Sequence, residues 1–286
     1  MSDMLKPAFV HRLIKEKGFN IKKSLGQNFL IDGNIARRIV AGAELSRDDW
    51  VLEIGPGLGA LTDLMSKEAG RVVAMEIDRD LIKILTEYHA GEAVIVQGDA
   101  LALDWREVLE EAGWQGQRLK LVANLPYYLT SPLIMKALES DLPIEVVVVM
   151  VQREVARRIL AQPGTADYGV LSLAVQYYTE GELLLNVPPT VFIPPPAVDS
   201  AVVKLKRIPR QISAPREQLF AVIRAAFQQR RKTLRKVLRP LLDEWGLDRE
   251  DLERAFSAAG IDPQIRGERL SLDHFAALTE ELIREV

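Results

Sequence analysis

The sequence predicts an α/β fold: an open, doubly wound, mostly parallel sheet followed by a small all-helical domain. Three observations carry this. Strand and helix patterns alternate through the first two-thirds of the 286 residues. The strand segments are short runs rich in Val and Ile, as strands buried on both faces require. Beyond about residue 208 every amphipathic segment has helical spacing. Repeated β-α units imply right-handed crossovers and helices on both faces of one sheet.

The elements follow in order. Met4–Lys17 has the spacing of a helix, and Ile35–Ala43 forms another, with Asp32 and Asn34 as candidate N-caps. Strands are predicted at Asp49–Ile54, Arg71–Glu76, Ala93–Gln97, Leu119–Asn124 and Ile144–Gln152, with helices at Ala60–Glu68, Arg79–Tyr88, Trp105–Ala112 and Ser131–Glu139 between them. Glu154–Ala161 and Leu171–Tyr178 read as helices, and Glu182–Val187 and Ser200–Arg207 as strands closing the sheet. Pro188–Pro196 is a proline-stiffened loop between those strands. Composition changes near Arg207–Pro215, which sets a domain boundary close to Ile208: residues 1–207 form an N-terminal extension plus the sheet domain, and 208–286 the helical domain. Its helices are predicted at Arg216–Gln228, Arg231–Leu242, Arg249–Ala259 and Leu272–Arg284, the last started by Ser271 and Asp273.

Composition narrows the chemistry. There is no cysteine, which excludes disulfides, thiolate metal sites and cysteine nucleophiles. His11, His89 and His274 lack metal-ligand or triad spacing, so no metal is expected. The chain starts without a signal-peptide pattern, and its longest apolar run, Val146–Val151, is far too short to span a bilayer. A cytoplasmic protein is the expectation. A net charge of −3 argues against indiscriminate polyanion binding, so any nucleic-acid surface is local.

The strongest local signal is Glu53-Ile54-Gly55-Pro56-Gly57-Leu58-Gly59, after a strand and before a helix. Glycines there let the backbone turn sharply and approach a ligand. Glu76 ends the next strand about 20 residues further on, where an acid can bind a ribose diol. Dinucleotide enzymes and S-adenosyl-L-methionine enzymes share this geometry. Two details favour the latter. Pro56 removes a backbone N–H that would cradle a pyrophosphate. Glu53 would repel phosphates but suits a cationic ligand. Ile77 and Ala100 flank the acids, and Asp99, at the end of the third strand, is placed to accept from an adenine amino group. Taken singly, Asp99 equally caps a turn.

Asn124-Leu125-Pro126-Tyr127 follows the fourth strand, beside the cofactor loop. Enzymes that modify a base extract it from its stack and hold it against aromatic faces. The Asn124 side-chain oxygen and the Leu125 carbonyl offer two acceptors for an exocyclic amino group, and Tyr127 a stacking face. Phe192 is the candidate for the opposite face, with a core phenylalanine as the competing role. Catalysis would rest on positioning and electrostatics, with no strong general base.

On these residues the chain resembles the bacterial small-subunit ribosomal RNA adenine N6,N6-dimethyltransferases (the KsgA, or RsmA, group), over nearly its whole length. Lys23-Ser24-Leu25-Gly26-Gln27-Asn28-Phe29-Leu30 looks like the family's N-terminal motif, which implies that Asn28 and Leu30 touch the cofactor. Gly55, Glu76 and Asp99 match the family's cofactor positions and Asn124 the Asn of its catalytic motif, with Gly57 a further candidate of the same glycine loop. Phe192, Pro194, Pro196, Val198 and Ser200 fit a second motif, and Ala226–Leu234 resembles a basic C-terminal signature. One position varies: some members have Asn where this chain has Tyr128. The resemblance implies a Rossmann-like class I methyltransferase sheet, S-adenosyl-L-methionine as cofactor, and dimethylation of two adjacent adenines in the 3′-terminal hairpin of 16S rRNA. It also implies action on the assembling 30S subunit; a monomer with no membrane partner is the expectation.

Between Arg224 and Arg239 lie seven Lys/Arg residues and no acid. Arg224, Arg230, Arg231, Lys232, Arg235 and Lys236 are the candidate phosphate contacts, with Arg231, Arg235 and Arg239 recurring at helical spacing. Arg230 falls on the apolar line of Ile223, Phe227 and Leu234, where a charge needs a partner. Lys22 and Lys23 extend the basic rim. A solvated helix face is the alternative for such a run. Three other functions fit parts of the pattern: a large-subunit (23S) rRNA adenine N6-methyltransferase of the antibiotic-resistance type, a non-catalytic ribosome-assembly or transcription factor on the same scaffold, and a nicotinamide oxidoreductase.

Overall fold

The computed structural model describes residues 6–16, 19–22, 25–88 and 93–285. Lys23, Ser24 and His89 lie outside the described residues, as do the ends of the predicted Met4–Lys17 helix. The elements are α1 (Pro7–Glu16), β1 (Phe29–Leu30), α2 (Gly33–Gly42), β2 (Trp50–Ile54), α3 (Ala60–Glu68), β3 (Arg71–Glu76), α4 (Arg79–Tyr88) and β4 (Val94–Gln97). They continue with α5 (Trp105–Glu111), β5 (Leu119–Asn124), α6 (Thr130–Glu139), β6 (Ile144–Gln152), α7 (Arg153–Leu160), α8 (Val170–Tyr178), β7 (Thr179–Val187), β8 (Phe192–Ile193) and β9 (Ser200–Arg207). The last four helices are α9 (Arg216–Gln228), α10 (Leu234–Trp245), α11 (Arg249–Ala258) and α12 (Leu272–Arg284). The fold class is α/β, as expected, with an all-helical C-terminal region.

The chain divides into two compact units, residues 1–156 with 180–207, and residues 157–179 with 208–286. The first unit holds a seven-stranded sheet in the order β4-β3-β2-β5-β6-β9-β7. From β4 to β6 every pair is parallel, and β9 runs antiparallel to β6. Chain order climbs outward from β2 through β3 to β4, then crosses to β5 on the other side of β2. The order therefore reverses between β2 and β5, and there the loops at the carboxyl ends diverge to leave a crevice. Six of the nine β6 side chains are valine or isoleucine, and Val147 to Val151 are at most 2% exposed. Such β-branched side chains pack well on a sheet covered on both faces. On one face they meet Ala36, Ile39 and Val40 of α2 and Leu61 and Met65 of α3. Asp32 caps α2, accepting from the N–H groups of Asn34 (2.8 Å) and Ile35 (3.0 Å).

Two short strands escape the sequence reading. β1 and β8 pair antiparallel, Leu30 with Phe192 and Phe29 with Ile193. A two-residue strand has no period to detect, and β8 lies inside the proline loop.

The second unit is helical. Tyr168 is wholly buried, donates its hydroxyl to the Leu270 carbonyl at 2.9 Å, and packs edge-on against Phe227. The boundary read from sequence differs from this division over residues 157–179. That segment carries the apolar face of α8, which packs with α9 and α12. The predicted Arg231–Leu242 helix instead starts at Leu234, and residues 229–233 form a turn, with Lys232 N–H on the Gln229 carbonyl. Among the described residues no helix is long and apolar enough to cross a membrane, and no cluster of His, Asp or Glu could hold a metal ion.

At the amino ends of β2 and β5, Asp49 is fully buried. It accepts from the Ser46 N–H (2.7 Å) and hydroxyl (2.9 Å) and pairs with buried Lys120 at 3.1 Å. Burial pushes this carboxyl up, but the Ser46 and Lys120 contacts outweigh it and hold it below its ordinary value. Removing Lys120 would leave buried Asp49 with only half-exposed Arg118, whose Nε is 3.3 Å away, as a cationic partner among the described residues, and breaking a buried ion pair costs about 3–5 kcal/mol. Lys120→Met is expected to lower unfolding stability by that order in urea titration; a loss below about 1 kcal/mol contradicts the pairing.

Candidate active site

The crevice between β2 and β5 opens into a cavity of about 230 Å³. The loop after β2 forms its floor. Gly55 and Gly57 adopt φ of +66° and +60°, a region costly for residues with a β-carbon. Nothing lies within 4 Å of where a β-carbon on Gly55 would sit, so the backbone there faces open space. At Gly57 that atom would come within 3.3 Å of the Phe29 ring.

Three acids surround this floor in different states. Glu76, at the end of β3, is 6% exposed. Its carboxylate accepts from the N–H groups of Ile77 and Asp78, both at 2.9 Å, and from Gly57 at 3.3 Å. Burial pushes its pKa up, and those three donors oppose the shift. Glu53 is 1% exposed and bonded to the Thr62 hydroxyl at 2.6 Å. Burial pushes it up to about 8, and nearby Glu76 adds to the rise. The sequence reading treats Glu53 as an anion; in this structure desolvation holds it largely protonated at neutral pH. Asp99 is exposed on the cavity wall and also takes the Leu101 N–H at 2.9 Å, so its turn-capping role is real and coexists with its place in the cavity.

The N-terminal segment forms the facing wall with Leu25 to Leu30. Asn28 donates Nδ2 to the Gly26 carbonyl at 3.0 Å, and its own carbonyl accepts from Asn124 Nδ2 at 3.3 Å. Only the nitrogen of a side-chain amide can face a carbonyl. This bond therefore turns Asn124 Oδ1 away from Asn28, leaving the acceptor for the cavity that Asn124 lines. Gln27 anchors the segment, donating to Asp78 at 2.7 Å and accepting the Lys22 N–H at 2.7 Å.

The cavity brings together most of the predicted site. Asn28, Leu30, Gly55 and Gly57 line it, as do Glu76, Ile77, Asp99 and Ala100. So do Asn124, Leu125 and Tyr127 from the loop after β5. Tyr127 shares a 2.6 Å hydrogen bond with Ser200 Oγ, and burial raises its pKa. Two expectations need correction. Phe192 is only 2% exposed, packs in the core with Leu30 and does not line the cavity, so its core role is the one the structure shows. Lys22 is no free basic rim: its ammonium pairs with Asp78 at 2.5 Å and Asp80 at 2.9 Å, because the segment folds back onto the loop after β3. Burial pushes Asp78 up, yet the bonds from Lys22, the Asp80 N–H and Gln27 together hold it below its ordinary value.

Sequence reasoning misses Lys136. From α6 its ammonium donates to the carbonyls of Ala100 (3.0 Å), Leu101 (2.9 Å) and Leu103 (2.6 Å). Trp105 Nε1 also reaches the Ala100 carbonyl at 2.7 Å. These donors fix the loop that carries Asp99 and Ala100. Nothing in the spacing of a lone helical lysine signals such a role.

Within the second unit, Arg224, Arg231, Lys232 and Lys236 are exposed. Arg230 and Arg235 are not available in the same way. Arg230 donates to the carbonyls of Ala166 and Tyr168, both at 3.0 Å, and pairs with Glu268 at 3.3 Å. Arg235 is bidentate on Glu253, with both contacts at 2.7 Å. The acids come from distant segments, so a window free of local acids hides them. Because residues 229–233 are a turn, Arg231 shares no helix face with Arg235 and Arg239.

Comparison with known proteins places this geometry. A family model described as ribosomal RNA adenine dimethylase matches residues 18–283. A Bacillus thuringiensis (strain Al Hakam) protein named ribosomal RNA small subunit methyltransferase A is 46% identical over 287 residues, 99% of this chain and 98% of that protein. Its counterpart in Bacillus cereus (strain B4264) matches equally. Among solved structures, a dimethyladenosine transferase from Plasmodium falciparum shares the fold, with TM-score 0.77 and 24% identity over 90% of this chain and 98% of that one. The 23S rRNA methyltransferase ErmE has TM-score 0.68 and 28% identity, covering 90% of this chain and all of that one. The sheet is thus the Rossmann-like sheet of class I methyltransferases.

Glu53 yields a prediction independent of any ligand. Its folded pKa of about 8 exceeds the ordinary 4.5, so between those values the folded state keeps a proton the unfolded chain has lost. Stability therefore declines as pH rises from about 4.5 through about 8. Glu53→Gln is expected to remove that decline and to melt higher than wild type at pH 8, with the two converging toward pH 4.5. Parallel melting curves across the range would refute the buried neutral acid.

Proposed function

The chain belongs to the ribosomal RNA adenine dimethylase family, and from that premise we propose that it methylates N6 of two adjacent adenines in the 3′-terminal hairpin of 16S rRNA. S-adenosyl-L-methionine is the proposed methyl donor, and the assembling 30S subunit, in the cytoplasm, the proposed partner. The observation that supports this best is the shared cavity: the glycine loop after β2 and Asn124 at the end of β5 line the same space.

The residues fit such a cofactor. Gly55 and Gly57 leave a cradle that a side chain would fill. Glu76 offers carboxylate lone pairs to a ribose diol, and Asp99 an acceptor to an adenine amino group. Glu53 is a buried acid with a hydroxyl for a partner. A cation in the cavity would draw it back to its ionised form. S-adenosyl-L-methionine supplies, when bound, an electrophilic methyl group on a sulfonium.

The chain's own part is positioning. An adenine N6 is a poor nucleophile because its lone pair is delocalised into the ring. Asn124 Oδ1 and the Leu125 carbonyl accept its two hydrogens, which directs the nitrogen and localises its lone pair. Donors and acceptors held rigidly need no reorganisation as charge develops. Tyr127 offers the aromatic face, held by Ser200. The exposed Arg224, Arg231, Lys232 and Lys236 supply phosphate contacts. Small-subunit rRNA is favoured over large because relatives named for the small subunit share 46% identity, against 28% for ErmE.

Two outcomes test this. Asn124→Ala is expected to lower kcat on small-subunit particles by at least about 100-fold while cofactor Kd changes less than about threefold. Equal losses in both would show that Asn124 holds the cofactor and not the base. Arg231→Glu with Lys232→Glu is expected to weaken particle binding and flatten its salt dependence, with cofactor Kd unchanged. Unaltered particle affinity at moderate salt would remove this turn from the RNA surface.

A further inference from the structure

Tyr128 is the most exposed large apolar side chain among the described residues, at 57%, and it lines the cavity. The Cδ1–Cε1 edge of its ring lies beside Gly26, where a β-carbon would come 3.5 Å from Cε1 and 3.6 Å from Cδ1. More than half of the residue's surface is open to solvent. Tyr127 and Tyr128 are consecutive in the 3-10 turn Tyr127–Leu129. Three residues per turn set their side chains roughly 120° apart. The two side chains therefore leave the turn in different directions. Tyr127 is tied to Ser200 by its hydroxyl, and Phe192 is in the core. Tyr128 is therefore an aromatic face beside the target pocket with a direction of its own.

We propose that Tyr128 is the stacking platform for the nucleobase next to the target adenine in the same strand, an inference that rests on the rRNA-adenine reading above. The partner chemistry follows from the ring: every base has a π face, and stacking on an aromatic side chain strengthens binding without reading base edges. The platform also suits a substrate of two adjacent adenines. For one of the two targets the base on the platform is the other adenine, and methylation of that neighbour's amino group leaves its ring face intact. Tyr128 holds the base beside the target whatever its identity, while Asn124 and Leu125 read the target itself.

The test uses small-subunit particles whose rRNA ends in a ligated synthetic hairpin, with an abasic nucleotide placed 5′ or 3′ of a single target adenine. Tyr128→Ala is expected to raise KM for the intact particle about tenfold, with kcat within about threefold and an unchanged melting temperature. Tyr128→Phe is expected to behave as wild type, since the ring and not the hydroxyl stacks. One of the two abasic substrates is expected to cost wild type a similar factor in KM and Tyr128→Ala nothing further. Abasic penalties that persist undiminished in Tyr128→Ala on both sides would overturn the contact. So would a Tyr128→Ala variant that loses cofactor affinity and keeps its particle KM. Wild-type protein that methylates no adenine of the intact particle would overturn the functional reading and this contact with it.

Discussion

The hydrogen bond from Asn124 Nδ2 to the Asn28 carbonyl, 3.3 Å long, ties the loop after β5 to a segment 96 residues earlier in the chain. A carbonyl accepts only from the amide nitrogen, so this contact decides where the amide oxygen faces. The Asn28 carbonyl is in turn held by what surrounds it. The Asn28 side chain bonds to the Gly26 carbonyl, and Gln27 and Lys22 moor the segment to Asp78. Asp78 gives its N–H to Glu76. A chain of polar contacts therefore runs from the proposed ribose acid, through the N-terminal segment, to the proposed base-holding amide. The proposed cofactor and base sites share one scaffold.

The acids of the cavity show how burial divides labour between like groups. Glu76 faces three backbone donors, Glu53 faces one hydroxyl, and Asp99 stands in solvent. Desolvation disfavours the charged form of the first two, and donor count decides how far. A cation in the cavity would draw Glu53 toward its ionised form, so the proposed cofactor's positive charge would contribute to its recognition.

Much of this was legible in the sequence because the signals were local. α3, β3, α4, β5, β6, β9, α9 and α12 fall where periodicity or composition puts them, or within a residue of it. The glycine loop, Glu76, Asp99 and Asn124 were legible because each lies at or just past the carboxyl end of a strand, and parallel strands deliver those ends to one edge. What stayed hidden depends on long-range contacts. The ties of Arg230 and Arg235 come from Ala166, Tyr168, Glu268 and Glu253, well outside any local window. Lys136 acts on carbonyls more than thirty residues away. Phe192 sits in a motif suited to either role, and only its 2% exposure separates core from wall. β1 and β8 are too short to carry a period.

The central claim is that this cavity directs an adenine N6 of small-subunit rRNA toward a methyl donor. Mass spectrometry of small-subunit rRNA from cells with and without the protein tests it most directly. The account predicts two adjacent N6,N6-dimethyladenines in the 3′-terminal hairpin when the protein is present, and unmodified adenines there when it is absent. Full dimethylation in cells lacking the protein, or a difference confined to large-subunit rRNA, would contradict it.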